Sequence, residues 1–216
     1  MRNATELSNG QIVTVDNAGC IGLKPLDEVQ CPNEVAAYYT ARTSLLEQLC
    51  AGSLPELVLL SNFTGEHAWQ EYVNGIERVF KEANLPIPKI VGSTESNFES
   101  KQSGFSIAMI GNREFKVNSN CKYWFIAGKP LVGNELLQNP SKCVPSKWLI
   151  EQLQQSKIQY IHPVGSKGLQ AEFEKLFSTI PQTEIDTKKS SGPSTCVIIG
   201  SNQSTLKGYE FIERII

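Results

Sequence analysis

The stretch LLEQLCAGSLPELVLLSNF, Leu45 to Phe63, joins the end of an amphipathic helix to a buried strand through an Ala-Gly turn. Upstream of it, residues 33–51 hold good helix formers with apolar side chains at three- and four-residue spacing (Val35, Tyr38, Tyr39, Leu45, Leu46, Leu49), Asn33 as a cap and Gly52 as a stop. The run Leu57 to Leu60 reads as a short buried strand closing in Ser61-Asn62-Phe63. Downstream, Glu66 to Ala83 repeats the helical spacing with Trp69, Tyr72, Val73, Ile76, Val79 and Phe80, and places His67 in an exposed first turn. Ile87 to Val91 reads as the next strand, stopped by Gly92-Ser93-Thr94-Glu95-Ser96-Asn97. Two further strands flank this core: Ile12 to Val15, followed by the turn formers Asp16-Asn17-Ala18-Gly19, and Phe105 to Ile110, followed by Gly111-Asn112. Helix and strand alternate, which predicts an α/β unit over residues 1–111.

The second half, 112–216, opens on the polar connection NREFKVNSNCK. Trp124 to Ala127 reads as a strand, 128–147 as turn-rich chain and Trp148 to Gln155 as a short helix. Ile158 to Ile161 is a strand running through His162-Pro163-Val164 into Gly165-Ser166-Lys167-Gly168 and the helix Leu169 to Phe177. Thr183 to Pro193 reads as exposed loop, Thr195 to Ile199 as a strand, and Leu206 to Ile216 as a strand or short helix.

Composition excludes several classes. The 216 residues are 40% hydrophobic and 19% charged, enough to bury a core. Lys plus Arg number 20 against 22 Asp plus Glu, a net charge of -2 with no basic stripe, which argues against nucleic acid as partner. No apolar run approaches a membrane span, and the opening MRNATELSNGQ lacks the basic and apolar segments of a secretory signal, so a cytoplasmic location is expected. Six scattered cysteines without C-x-x-C and only two histidines disfavour disulfides, structural zinc and a His-rich metal centre.

No Walker loop and no G-x-G-x-x-G occur, and there is no G-x-S-x-G elbow. Gly165-Ser166-Lys167-Gly168 sits between strand and helix, where backbone amides and the Lys167 charge can hold an anion; a tight turn with a solvated lysine is the plainer alternative. The other polar groups at element ends are Asp16, Asp27, Asn62, Glu95 and Asn97, with Glu47 inside the first helix. Taken singly such residues are more often caps, turn formers or surface charges. Gathered, oxygen donors of this kind suit Mg²⁺ and its phosphate partners. Cys20, beside the aspartate, reads as a small filler.

In this order, LLEQLCAGSLPELVLLSNF, NGIERVFKEANLPIP and KIVGSTESNF resemble the N-terminal half of the aminoimidazole ribonucleotide (AIR) synthase superfamily, which includes selenophosphate synthetase and thiamine-monophosphate kinase. The resemblance covers about residues 11–111, with Asp16-Asn17-Ala18-Gly19 at the family's aspartate loop. Downstream, GKPLVGNELL, IHPVGSKGLQAEF and SSGPSTCVIIG look like the small AIR-synthase-related proteins of cobamide salvage, the alpha-ribazole kinase type.

What the resemblance implies is an α/β (α+β) protein in two parts: an ATP- and Mg²⁺-binding domain over 1–111, whose strands form a central barrel in a homodimer, and a shortened C-terminal domain over 112–216. It implies ATP and Mg²⁺ as cofactors and an ATP-dependent kinase phosphorylating a nucleoside 5'-hydroxyl, with alpha-ribazole as acceptor. Asp16, Asp27 and Lys167 would be catalytic, and Asp16, Glu47 and Glu95 metal ligands. Asn17, Gly19, Gly92, Ser93, Thr94, Glu95, Asn97, Gly165 and Ser166 would approach the nucleotide. Lys24 and Lys101 are further candidates to neutralise developing charge. The chain departs from the synthases at Cys20-Ile21, where they have Thr-Lys, and at Thr94-Glu95 and Asn97, where their acids are placed differently. The alternatives are a nucleotide-binding or regulatory module without turnover and an AIR-synthase-type ligase.

Overall fold

Strict period-two burial organises the first part of the chain: residues 104–111 alternate between half-buried and buried at every position. The protein is described here as a computed structural model covering residues 3–216. It divides after Lys116 into two compact units. In the first, β1 (Thr5–Glu6), β2 (Ile12–Gly19), β5 (Ser53–Asn62), β6 (Lys89–Thr94) and β7 (Gly104–Arg113) form one sheet in the order β1-β2-β7-β5-β6. Between β2 and β5 come the two-residue strands β3 (Ile21–Gly22) and β4 (Val29–Gln30), paired in parallel, and helix α1 (Asn33–Cys50); helix α2 (Trp69–Glu82) joins β5 to β6.

β7 runs antiparallel to β2 and to β5, and β6 is parallel to β5. One face of this sheet is core: Thr14, Met109 and Val58 align in register, as do Ile107 and Leu60, and all are buried. Both helices serve that face. The Gln48 amide of α1 donates to Ile12 O at 3.1 Å and Met109 O at 2.9 Å, and Thr14 Oγ1 to Ser44 O at 3.1 Å, so α1 lies directly over β2 and β7. α2 packs on α1 through Gly75, where a Cβ would run into Glu34 O. Tyr72 stacks on Phe105 at 4.2 Å between ring centroids, and its hydroxyl shares a 2.6 Å hydrogen bond with Thr64; burial pushes its pKa up to about 12.

The opposite face of the sheet is different. Val15 and Leu59 are 54% and 37% exposed, in one row with half-buried Ala108 and Val91.

The second unit is an antiparallel sheet ordered β11-β8-β10-β9, from β8 (Tyr123–Ala127), β9 (Tyr160–Pro163), β10 (Val197–Ser201) and β11 (Ile212–Arg214). Helices α3 (Asn134–Gln138), α4 (Ser146–Gln154) and α5 (Gly168–Leu176) belong to the same unit. Central β10 is buried at all five positions. Tyr160, His162, Glu172 and Lys175 form a hydrogen-bonded chain, with His162 Nε2 2.9 Å from Glu172 Oε2 and both side chains buried. No disulfide forms among the described residues.

Several sequence expectations change. Asp16 to Gly19 is strand, not turn: all four pair with β7, and the bend falls at Cys20, whose φ is 61°. Residue 111 lies inside β7, which continues to Arg113. The third strand starts at Lys89 instead of Ile87, because Pro86 and Pro88 supply no amides for a ladder. Asn33 is the first residue of α1 and bonds Glu71 across to α2 instead of capping its own helix. Finally, Thr183 to Pro193 is not wholly exposed: Ser191 is fully buried and its amide donates to Gly165 O at 3.1 Å.

Gly92 sits where a Cβ would overlap the Leu60 carbonyl of the neighbouring strand. Gly92→Ala is therefore expected to destabilise the protein by about 1–3 kcal/mol. Urea denaturation reads this directly; an unchanged midpoint would refute the close approach of β5 and β6.

Candidate functional site

Because β2, β5 and β6 are parallel to one another, their C-terminal ends lie at one end of the sheet, together with the start of β7. Polar groups collect there. Row by row across the sheet the register aligns Asp16 with Ile107, Leu60 and Gly92; then Asn17 with Ser106, Ser61 and Ser93; then Ala18 with Phe105, Asn62 and Thr94. Asp16 thus shares the helix-covered face with two core side chains, while Asn17 and Ser93 stand exposed on the other. Gly19 ends β2 opposite Gly104.

Asn62 organises the end of β5. Its side-chain amide donates to Gly65 O at 2.8 Å and Thr94 Oγ1 at 3.2 Å, and its Oδ1 accepts from the Thr64 amide at 2.9 Å. The Glu95 amide donates to Asn62 O at 2.8 Å, and Glu95 Oε1 accepts from the Asn97 amide at 2.7 Å. Gly92 to Asn97 is thus a strand end passing into a tight turn, with Glu95 half-buried and Asn97 exposed.

Asp27 is brought in from the loop between β3 and β4. It is 8% exposed, and both its oxygens are engaged: Oδ1 accepts from the Ser103 amide at 2.7 Å, and Oδ2 from Ser103 Oγ at 2.7 Å and the Lys24 amide at 2.9 Å. Burial alone raises its pKa; the bonds from Ser103 and Lys24 and the Lys24 charge together outweigh it and hold the carboxyl below its ordinary 3.8. Gly22 permits this clasp, since a Cβ there would strike Ser103 Oγ. Lys24 Nζ in turn donates to Ser100 O at 2.6 Å and Ser100 Oγ at 2.8 Å. Asp27 and Lys24 therefore clamp the β6–β7 connection to the 20s loop. Lys101 is exposed in that same connection. Ser100 and Ser103 were not singled out by the sequence; the run Glu99-Ser100-Lys101-Gln102-Ser103-Gly104 is polar but has no motif.

The metal set does not assemble. Asp16, Glu47 and Glu95 form no ion-holding group, and no cluster of three or more His, Cys, Asp or Glu does so among the described residues. Topology explains it. Glu95 follows β6, three strand spacings from β2, roughly 14 Å. Glu47 lies in α1 next to Gln48, whose side-chain amide binds Ile12 O and Thr14 Oγ1 of β2. Glu47 is 1% exposed, and both its oxygens accept from Asn3, each at 3.3 Å.

In the second unit Gly165-Ser166-Lys167 leads into α5, with Ser166 and Lys167 exposed and Gly165 O accepting from Gly168 and Ser191. Gly168 has φ 75°, and a Cβ there would press on Thr187 O and Lys189 O, so the turn is held by the 187–191 segment.

The Asp27 clasp makes a signed prediction. A carboxyl whose folded pKa is depressed stabilises the fold above its unfolded value and loses that contribution as pH falls through the folded one. Wild type should exceed Asp27→Asn in stability near neutral pH, with the gap closing below about pH 4. A gap independent of pH in thermal unfolding would show that the Asp27 charge plays no part.

No family model matches the chain, and no curated protein resembles it significantly in sequence. Solved structures do resemble it. Thiamine monophosphate kinase from Aquifex aeolicus superposes with a TM-score of 0.58 at 11% identity, over 97% of this chain and 85% of that one. The HypE-HypF complex matches with a TM-score of 0.60 at 16% identity, over 94% and 79%. PurL of T. maritima complexed with AMPPCP matches with a TM-score of 0.54 at 12% identity, over 92% of this chain but 37% of that one. A thiamine monophosphate kinase has also been solved with AMPPCP and TMP, and HypE with ATP. At these identities the likeness is one of architecture, and it is consistent: the chain has the AIR-synthase-like fold.

Proposed function

We propose that the protein is an ATP-dependent phosphotransferase that phosphorylates a nucleoside 5'-hydroxyl, with alpha-ribazole as the candidate acceptor. One observation carries this reading. On an AIR-synthase-like fold, the three parallel strand ends gather Asp16, Asn17, Gly19, Asn62 and the turn Gly92 to Asn97 at one edge of the sheet. Similar folds have been solved with ATP or AMPPCP. Phosphoryl transfer demands alignment and charge neutralisation more than covalent chemistry, and a polar strand end can supply these.

In this scheme the acceptor oxygen attacks the γ-phosphorus, the bond to the β–γ bridging oxygen breaks, ADP leaves, and the hydroxyl proton passes to Asp16. Asp16 is the carboxylate assigned to the acceptor. Asp27, with both oxygens bonded to Ser103 and Lys24, is assigned to positioning the loops instead. Amides and side chains of Gly92, Ser93, Thr94, Glu95 and Asn97 line the nucleotide, and Lys101 offsets negative charge. Lys167, with Gly165 and Ser166, is assigned to an anion-holding turn of the second unit. The donor set of a single chain does not fit a resident Mg²⁺, so Mg²⁺ enters with ATP as part of the substrate.

The uncovered sheet face, bearing Val15, Leu59, Ala108 and Val91, fits a homodimer in which two such sheets meet. Leu59→Asp on that face should shift sedimentation from dimer to monomer; a monomeric wild type would remove the dimer. No helix among the described residues is long and apolar enough to cross a membrane, and we place the enzyme in the cytoplasm.

A second reading is a nucleotide-binding module without turnover, favoured by the absence of a three-carboxylate group among the described residues. Incubation with ATP, Mg²⁺ and a panel of nucleosides that includes alpha-ribazole separates the two. The kinase predicts ADP formation dependent on one nucleoside; ATP binding without ADP from any of them supports the module. Asp16→Asn should lower turnover at least about 100-fold with the fold retained. Wild-type turnover in that variant would take Asp16 out of the chemistry.

A further inference from the structure

The sheet end that carries the candidate site also carries two phenylalanines left in water. Phe98 is 81% exposed and Phe63 52%, whereas Phe80 and Phe105 of the same unit are buried to 1% and 2%. Phe63 follows Asn62 directly. Its amide still donates to Gly104 O at 2.9 Å, so the strand alternation continues and its ring stands on the face opposite buried Asn62. Beside it the surface is bare backbone: a Cβ on Gly19 would meet no atom within 4 Å, and one on Gly104 would meet Phe63 Cβ first, at 3.9 Å. Phe98 arrives on the β6–β7 connection. Two residues on, Ser100 Oγ donates to Phe63 O at 2.7 Å, and Lys24 Nζ holds Ser100 from the other side. The segment carrying Phe98 is therefore pinned against the backbone of Phe63.

We propose that Phe63 and Phe98 form a stacking subsite for a planar heteroaromatic base at the candidate site. This deepens the kinase reading and rests on it. The surface suits a flat ring better than a phosphate or an aliphatic chain. It offers aromatic faces next to a side-chain-free strip; Lys24 is already committed to Ser100, and the exposed Lys101 of the same connection is left for the phosphates attached to the base. Stacking on an aromatic face needs no particular hydrogen-bond pattern, so it serves any base that presents a π surface. Polar groups at the strand ends then lie within reach of the sugar and phosphates attached to that base.

The same chemistry comes from the adenine of ATP or from the base of the acceptor, and the test distinguishes them. Phe98→Trp provides a fluorophore on an exposed, pinned loop, read as the difference from wild type, which has three tryptophans of its own. ATP, inorganic tripolyphosphate, ribose 5-phosphate and the panel nucleosides are titrated separately. Quenching by ATP but not by tripolyphosphate assigns the subsite to adenine. Quenching by a nucleoside but not by ribose 5-phosphate assigns it to the acceptor base. In Phe63→Ala/Phe98→Ala, half-saturation for the base-bearing ligand should rise about ten-fold or more, with tripolyphosphate binding unchanged. An unchanged half-saturation, in a protein that still uses ATP, overturns the subsite and leaves the kinase reading intact. Loss of dimer in that variant, with nucleotide affinity retained, assigns the rings to a contact between copies and also overturns it. If wild type binds no nucleotide at all, both readings fall together.

Discussion

Strand β7 is antiparallel to both β2 and β5, and that double pairing decides where the polar groups at the ends of these strands come together. It forces β2 and β5 to run the same way, and the crossover through α2 brings β6 in parallel beside β5. Three strands therefore end on one side, where Asp16, Asn62 and Thr94 are separated along the chain by tens of residues but by only a few strand spacings in the sheet. Crevices outside the carboxyl ends of parallel strands are where open α/β sheets bind ligands. The same pairing fixes the alternation of faces: one row of side chains lies under α1 and α2, and the next, with Val15 and Leu59, remains uncovered.

That geometry also explains why residues that look like a metal set do not make one. Asp16 and Glu95 hang from β2 and from the end of β6, with β7 and β5 between them, and Glu47 is buried in α1 under Asn3. Asp27 is set by its surroundings too: burial pushes its carboxyl pKa up, three hydrogen bonds and the Lys24 charge outweigh that, and the product is a clamp between two loops. The clamp matters to function indirectly, since it fixes the connection that carries Glu95, Asn97 and Phe98.

The helices were legible because their apolar residues recur at helical spacing and the signal is local; α1 and α2 lie within the expected bounds, give or take a turn. Strand ends were less legible. Asp16-Asn17-Ala18-Gly19 has turn chemistry, yet eight consecutive pairings along β7 keep it extended, so tertiary pairing overrides residue preference. The start of β5 was hidden by Pro55, where the ladder slips by one residue before Leu57. The clasps of Asp27 on Ser103 and of Asn3 on Glu47 span 76 and 44 residues, and no short-range pattern marks either. The order of acidic and glycine-bearing loops did carry the fold, through its resemblance to AIR synthases, because that order is topology written along the chain.

On the proposed reading, the converging ends of β2, β5 and β6 bind the triphosphate. A crystal structure with AMPPCP and Mg²⁺ tests it most directly. The phosphates are expected beside Asp16 and the Gly92 to Glu95 segment. Density for the nucleotide at the far end of the sheet, in the roughly 350 Å³ groove between Pro55, Pro86 and Pro88, would contradict it.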